Sequence, residues 1–106
     1  MKEQVYRILQ SIPKGQVVTY GQIAEMLGSN HYARTVGNIL HSNPDGEKYP
    51  CYKVVNSKGH LAHRYAFGGI EKQKEKLVSD GIEVVNYRVD LKKYNGAVRL
   101  NYEKEV

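Results

Sequence analysis

The sequence predicts a mainly α-helical protein with small β elements. Apolar residues recur at helical spacing in several short segments, and glycine or proline ends these segments. Only the last quarter of the chain alternates with the period of a strand. A chain of 106 residues is long enough for one modest hydrophobic core and too short for two. We therefore expect one helical body to which short β segments are added.

The first two predicted helices lie near the N-terminus. A helix is predicted over residues 3–11, because apolar residues share one face there before Pro13 and Gly15 end the pattern. In the next segment, TYGQIAEMLG, Thr19 precedes Gln22 by three residues. This spacing is typical of a capping box, in which each side chain satisfies a backbone donor at the start of a helix.

A third helix is predicted in YARTVGNILH, which ends before Asn43-Pro44 because a residue preceding proline is disfavoured in a helix. Two short helices joined by a short turn form the helix-turn-helix pattern, whose second helix usually enters a groove of DNA. A net charge of +5 favours a polyanionic partner. Helical hairpins without a DNA role share the pattern, so this observation by itself leaves both interpretations open.

The second half of the chain completes the predicted fold. CYKVVNSKG indicates a short buried strand and a turn, and IEKQKEKLVSDG an amphipathic helix whose charged face we interpret as solvated surface. Alternating residues on both sides of Asn95-Gly96 predict a C-terminal β-hairpin. The predicted fold is a winged helix-turn-helix-like DNA-binding domain over residues 1–84, with a β-hairpin extension over 85–106 packed on the same domain.

Cys51 is the only cysteine in the chain. Free cysteine packs as a small hydrophobe, so it could fill the core, or it could be a nucleophile. One cysteine cannot form an intramolecular disulfide, no apolar run reaches the roughly 18 residues of a membrane span, and the N-terminus lacks the apolar stretch of a secretion signal. We expect a cytoplasmic protein, nucleoid-associated if prokaryotic, with no membrane partner.

The four histidines, at positions 31, 41, 60 and 63, do not predict a metal site. Zinc commonly needs three or four ligands in a defined arrangement, and the sequence has no paired-cysteine spacing. A cysteine protease needs an activating histidine, for which the sequence has no local signature. We expect neither metal nor other cofactor.

Four segments occur in a distinctive order between about Ile12 and Val84: IPKGQVVTYGQIA, YARTVGNIL, NPDGEKYPC followed by YKVVNSKG, and GGIEKQKEKLVSDG. This order resembles the C-terminal, DNA-binding domain of the 6-O-alkylguanine DNA alkyltransferases, the methylated-DNA protein-cysteine methyltransferases, and of their alkyltransferase-like relatives. The separation of Asn43-Pro44 from Pro50-Cys51 is that of the family. The resemblance implies transfer of an alkyl group from guanine's exocyclic oxygen to the Cys51 thiolate, once per protein molecule.

The resemblance also implies how the target base leaves the duplex. Arg34 would fill the space of the flipped nucleotide, Tyr20 would press on the adjacent phosphate, and the small Ala33 and Gly37 would allow close approach to the minor groove. Without the flanking motifs, Arg34 would be interpreted as a solvated surface arginine. The expected DNA-binding residues are Tyr20, Ala33, Arg34, Gly37, Lys53, Ser57 and Arg64, of which Arg64 would contact the damaged base.

The residues that follow Cys51 depart from the family pattern, which usually has histidine and then arginine there. Here these positions are Tyr52 and Lys53, while Asp80 matches the acidic partner of the histidine and Asn43 matches an asparagine that holds the cysteine loop. The expected catalytic set is therefore Cys51, Tyr52, Asp80 and Asn43. A phenol with a pKa of about 10 is a poor base at neutral pH, so thiolate formation would depend on Lys53 and backbone donors, and transfer would be slow.

The loop HLAHRYAFGG has Phe67 where the family has serine before the double glycine, and it is nearer to the alkyltransferase-like proteins, which bind alkylated DNA without transfer.

The sequence predicts a DNA repair protein that flips 6-O-alkylguanine and transfers the alkyl group to Cys51. The alternative is a lesion-binding protein that does not transfer and signals to excision repair. A sequence-reading regulator would not explain the spacing of Pro50-Cys51. The expected partners are double-stranded DNA containing alkylated guanine and, in the alternative, excision-repair proteins; we expect a monomer.

Overall fold

The computed structural model describes residues 1–96. The elements, in chain order, are α1 (Lys2–Ser11), β1 (Val18–Thr19), α2 (Tyr20–Met26), a 3-10 turn (Asn30–Tyr32), α3 (Ala33–His41), a second 3-10 turn (Cys51–Lys53), β2 (Val54–Val55), α4 (Gly69–Ser79), β3 (Val84–Val85), β4 (Arg88–Val89) and α5 (Leu91–Tyr94). The predicted fold class, mainly helical with small strands, is confirmed. No helix among residues 1–96 is long and apolar enough to cross a membrane.

Helix α2 begins with the predicted capping box. The Thr19 hydroxyl accepts a hydrogen bond from the Gln22 amide (3.1 Å), and the Gln22 side-chain oxygen accepts one from the Thr19 amide (2.9 Å). Gly28, at φ 121°, ends the helix in a backbone conformation that favours glycine. The short turn that follows leads into α3, which packs extensively against α2.

A two-stranded parallel sheet lies between two hydrophobic clusters. In the sheet, Val18 pairs with Val54, and both belong to the cluster formed with α1, α2 and α3. Val17 and Val55 belong to the other cluster, which includes residues of α4 and the C-terminal hairpin. Because successive side chains of extended backbone point to opposite faces, Val17 and Val18 at the start of β1, and Val54 and Val55 of β2, contribute to opposite clusters. The sheet thereby fixes the segment after Cys51 against the helix pair formed by α2 and α3.

The segment that begins at Cys51 differs from the predicted strand in its first three residues. Cys51–Lys53 is a 3-10 turn, and only Val54–Val55 is a strand. The Cys51 amide donates to the Tyr49 carbonyl (2.7 Å) and the Lys53 amide to the Pro50 carbonyl (3.2 Å). These local bonds use the backbone groups that an extended ladder would need, so the chain coils before it pairs.

The C-terminal hairpin reverses earlier than the sequence predicts. Val84 pairs with Val89 in an antiparallel arrangement, and the chain turns at Asn86 and Tyr87, which have φ values of 52° and 59°. Residues 91–94 form α5 instead of continuing a strand, because the Asp90 side chain accepts from the Lys92 amide (3.0 Å) and caps the helix. The predicted turn at residues 95–96 was therefore wrong: residue 95 is extended and forms a parallel bridge with residue 17.

The alternating residues after Asn95-Gly96, which are predicted as the second strand of the hairpin, lie outside the described residues. The division of the chain at residue 84 stays a prediction.

Candidate active site and nucleic-acid interface

A cleft of about 250 Å³ opens beside Cys51. Its wall is built from α2, α3, the 3-10 turn that begins with Cys51, the loop over residues 60–68, and α4. Cys51 is 5% exposed, so the residue lies at the edge of the core and contributes to the cleft wall. Among the residues that line the cleft are Tyr20, Gly37, Cys51, Ala62, Arg64 and Tyr65.

The loop before Cys51 is held by the buried Asn43. The Asn43 side-chain nitrogen donates to the Tyr49 carbonyl (2.7 Å), and its oxygen accepts from the Asp45 amide (3.0 Å). The same Tyr49 carbonyl accepts from the Cys51 amide. On the other side of the loop, the Tyr49 ring stacks on Tyr6 of α1, with centroids 4.3 Å apart. These contacts fix the backbone on which the thiol is carried.

The environment of Cys51 does not activate the thiol. Burial raises the pKa of the thiol, and this effect outweighs the Asn43 side chain, the Cys51 backbone amide and the Lys76 ammonium, which all lower it. The cation that acts on the thiol therefore comes from α4. The sequence interpretation missed it, because it assigned the charged face of this helix to solvent.

Tyr52 is bonded to the expected acidic residue, but as a donor. Its hydroxyl donates to Asp80 (2.5 Å), and its ring centroid lies 5.9 Å from the Lys53 ammonium and 5.7 Å from the Lys76 ammonium. Burial raises the pKa of the Tyr52 phenol, and the bond to Asp80 raises it further. A phenol that holds its proton this strongly is not a base for the Cys51 thiol.

The structure places Lys53 differently from the expectation. The side chain is buried, at 8% exposure, and its ammonium donates to the Ile12 carbonyl (2.9 Å). Burial lowers the pKa of this ammonium. Lys53 thus ties the segment after Cys51 to the end of α1 and is not presented on an exposed surface where DNA could bind.

Of the remaining predicted DNA-binding residues, three line the cleft and three lie outside it. Tyr20, Gly37 and Arg64 line the cleft, and burial raises the pKa of the Tyr20 phenol. Arg34 is exposed near the start of α3, with the half-buried Ala33 before it. Ser57 is exposed in the turn after β2.

Among the cleft residues that the sequence interpretation missed, Tyr65 and Gln73 carry buried polar groups. Tyr65 is 7% exposed, and among residues 1–96 its hydroxyl has no hydrogen-bond partner. Gln73 is fully buried on α4 and bonds to three backbone groups. The only sequence signals were a tyrosine in a polar loop and an uncharged polar residue in a charged helix. Within the described part of the chain, no three His, Cys, Asp or Glu side chains cluster as a metal site would need.

This fold, a helix pair set against a cleft with a buried cysteine, defines the class of DNA-binding domains found in cysteine alkyltransferases. Residues 1–82 match the family model described as the DNA binding domain of 6-O-methylguanine DNA methyltransferase. The chain belongs to this family, which confirms the resemblance inferred from the sequence.

Relatives of two kinds are similar to the chain. A DNA base-flipping protein of Vibrio parahaemolyticus is 41% identical over 92 residues, which cover 86% of this chain and 90% of that protein. A methylated-DNA–protein-cysteine methyltransferase of Shigella flexneri is 39% identical over 80 residues, which cover 76% of this chain and 46% of that protein. The crystal structure of S. pombe Atl1 with damaged DNA containing O6-carboxymethylguanine superposes with a TM-score of 0.79 at 33% identity, covering 89% of this chain and 92% of that one.

Proposed function

We propose that this protein repairs DNA by flipping an alkylated guanine into the cleft beside Cys51. The observation that carries the proposal is the position of Cys51 in the wall of a cleft between the helix pair and the loop over residues 60–68. A reaction on a base requires the base to leave the stack and enter a pocket, and this cleft brings such a pocket to the only thiol of the chain.

The surface of α3 supports the approach of a duplex. A Cβ added at Gly37 would meet no atom within 4 Å, so the fold itself does not require glycine there. Glycine inside a helix costs about 1 kcal/mol relative to alanine. A bare backbone at this position is explained by close contact with DNA, and the exposed Arg34, one turn earlier, is available to enter the duplex.

Two residues of the cleft wall, Tyr65 and Arg64, would meet the flipped base. The Tyr65 hydroxyl is buried without a partner, and an unsatisfied buried hydroxyl costs about 1–3 kcal/mol unless a ligand or water bonds to it. Arg64, on the same wall, is exposed and lines the cleft. A guanidinium can stack on a base and donate hydrogen bonds to its edge. These two residues would orient the lesion against Cys51.

The transfer step needs the thiolate of Cys51. The sulfur forms a bond to the alkyl carbon, the bond from that carbon to the guanine oxygen breaks, and the base leaves with the electron pair and takes up a proton. Because burial raises the pKa of Cys51 and Tyr52 does not act as a base, only a small fraction of the thiol is ionised at neutral pH. We therefore propose transfer that is slow at pH 7.

A second candidate function shares the cleft and omits the transfer. The protein would hold the flipped lesion with its thiol unreacted, and excision-repair proteins would recognise the complex. The observation that favours it is the hydrogen bond that the Tyr52 hydroxyl donates to Asp80. Because the pKa of this phenol is raised, neither residue is available to take the proton of the Cys51 thiol.

One experiment tests both candidates. The protein is incubated with a duplex that carries a single 6-O-methylguanine, and its intact mass is followed over hours beside a Cys51→Ser variant. We expect one added methyl group on the wild-type chain and none on the variant. Unchanged mass with tighter binding to the lesion than to guanine would select the second function. Equal binding to both duplexes with no methyl transfer would overturn both.

A further inference from the structure

A buried amide on α4 joins the two sides of the cleft. The Gln73 side-chain nitrogen donates to the carbonyls of Tyr52 (3.0 Å) and Val54 (3.1 Å), and its oxygen accepts from the Ala62 amide (2.7 Å). Both amide hydrogens are therefore used. The first two bonds hold the backbone that follows Cys51, and the third holds the loop opposite.

The hydrogen bonds continue from this amide along the loop. The Tyr65 amide donates to the Ala62 carbonyl (3.2 Å), and the Gly69 amide donates to the Tyr65 carbonyl (2.9 Å). A displacement of Ala62 is therefore transmitted to the buried Tyr65. Tyr65 lines the cleft, has an unpartnered hydroxyl and is one of the residues proposed to meet the base. Gln73 itself lines the cleft and is 1% exposed.

An apolar side chain would fill the same space without fixing either wall. A buried amide is unfavourable unless its polar groups are bonded, whereas a fully bonded one specifies a single arrangement. We propose that Gln73 is a positioning residue for lesion recognition, which sets the width of the cleft by fixing the loop at Ala62 relative to Cys51. This inference rests on the proposed function, because the cleft width matters only if a base enters it.

The variant Gln73→Glu tests the inference through pH. One carboxylate oxygen can still accept from the Ala62 amide, but the other replaces the donor and faces the two carbonyl oxygens. When protonated, this oxygen donates to one carbonyl and restores most of the connection. Burial raises the pKa of a carboxyl group above its ordinary value of about 4.3, and documented buried glutamates reach about 8–9. The connection should be present near pH 6 and lost near pH 9.

The measurement is the ratio of dissociation constants for a guanine duplex and a 6-O-methylguanine duplex. At each pH this ratio is normalised to that of the wild type, and circular dichroism confirms folding. We expect Gln73→Glu to match the wild type at pH 6 and to lose about tenfold in this ratio at pH 9, as expected for one buried polar connection. Gln73→Met should show the same loss of preference for the lesion at both pH values. Gln4→Glu, the same charge change at an exposed position of α1, should follow the wild type throughout.

The outcomes separate the inference from the function on which it rests. If the wild type prefers the lesion and Gln73→Met prefers it equally, the positioning role is wrong and base recognition stands. The same holds if folded Gln73→Glu shows no difference between the two pH values. If Gln73→Glu unfolds at pH 9, the result for Gln73→Met decides. If the wild type shows no preference for the lesion, the proposed function fails and the inference falls with it.

Discussion

The Tyr52 hydroxyl donates a hydrogen bond to the Asp80 carboxylate across 2.5 Å, joining the residue after Cys51 to the C-terminal end of α4. The direction of this bond matters more than its length. A base at residue 52 would accept a proton from the thiol and be stabilised by the carboxylate. The phenol instead presents its own proton to that carboxylate, and its pKa is raised by burial and by Asp80.

Replacement of Tyr52 by histidine should accelerate alkyl transfer. Imidazole titrates near pH 6.5, so beside Asp80 it can accept the thiol proton at neutral pH. General-base assistance is typically worth about 10²–10⁴-fold, and we expect an increase of at least about tenfold in the single-turnover rate at pH 7. The rate is measured by intact mass with a 6-O-methylguanine duplex. Tyr52→Phe is the matched control and should show no acceleration; equal rates for the two variants would contradict this account.

The rate of transfer by the wild type should rise with pH. Burial raises the pKa of Cys51, so the thiol is mostly protonated at neutral pH, and below that pKa the thiolate fraction grows tenfold for each pH unit. A plot of log rate against pH should therefore have a slope near one from about pH 6.5 to 8. Lesion affinity, measured with Cys51→Ser over the same range, corrects for changes in DNA binding. A rate that is flat over this range would show that the thiol is already ionised at neutral pH.

Gly37→Ala should change stability and DNA affinity in opposite directions. The added methyl group meets no atom of the protein within 4 Å, and alanine is the better helix former by about 1 kcal/mol. The free energy of unfolding, measured in urea, should rise by about 0.5–1 kcal/mol. Binding to duplex DNA should weaken, because the methyl group occupies space next to the cleft. Unchanged affinity would place the duplex away from this face of α3.

Arg34→Ala should reduce the preference for a lesion-containing duplex. The side chain is exposed, so its loss should leave the free energy of unfolding within about 0.5 kcal/mol of the wild type. Arg7→Ala removes the same charge from an exposed position of α1 and serves as the control for general electrostatic attraction. Fluorescence of 2-aminopurine placed opposite the lesion reports the opening of the duplex. An Arg34→Ala variant that binds and opens the duplex as the Arg7→Ala variant does would contradict the finger role.

Asn43→Ala should destabilise the protein and raise the pKa of Cys51 further. The substitution removes a donor to the Tyr49 carbonyl and an acceptor for the Asp45 amide, and a buried group left without its partner costs about 1–3 kcal/mol. The Asn43 side chain also lowers the pKa of the thiol, so its loss leaves the effect of burial less opposed. Urea unfolding measures the first effect, and thiolate absorbance against pH measures the second. A lower thiol pKa in the variant would refute the second expectation.

The sequence was least informative where two local signals competed. Asn95-Gly96 is a strong hairpin signal, yet the chain reverses at Asn86-Tyr87 and residues 91–94 form a helix capped by Asp90. Turn propensity describes how readily a dipeptide can form a turn. The pairing of Val84 with Val89 decided that the chain turns at Asn86-Tyr87. Lys53 shows the same limit for a charge, because nothing in YKVV indicates that its ammonium reaches the Ile12 carbonyl 41 residues away.

The sequence by itself determined the helix periods, the capping box at Thr19, the order of the family motifs and the presence of one thiol beside a proline, because these depend on spacing along the chain. Only the tertiary structure decided that Tyr52 donates to Asp80, that Gln73 spans the cleft and that burial raises the pKa of Cys51. Burial and hydrogen-bond direction depend on which distant segments meet. A local pattern fixes which groups are available, and the packed fold fixes which of them are charged and what they contact.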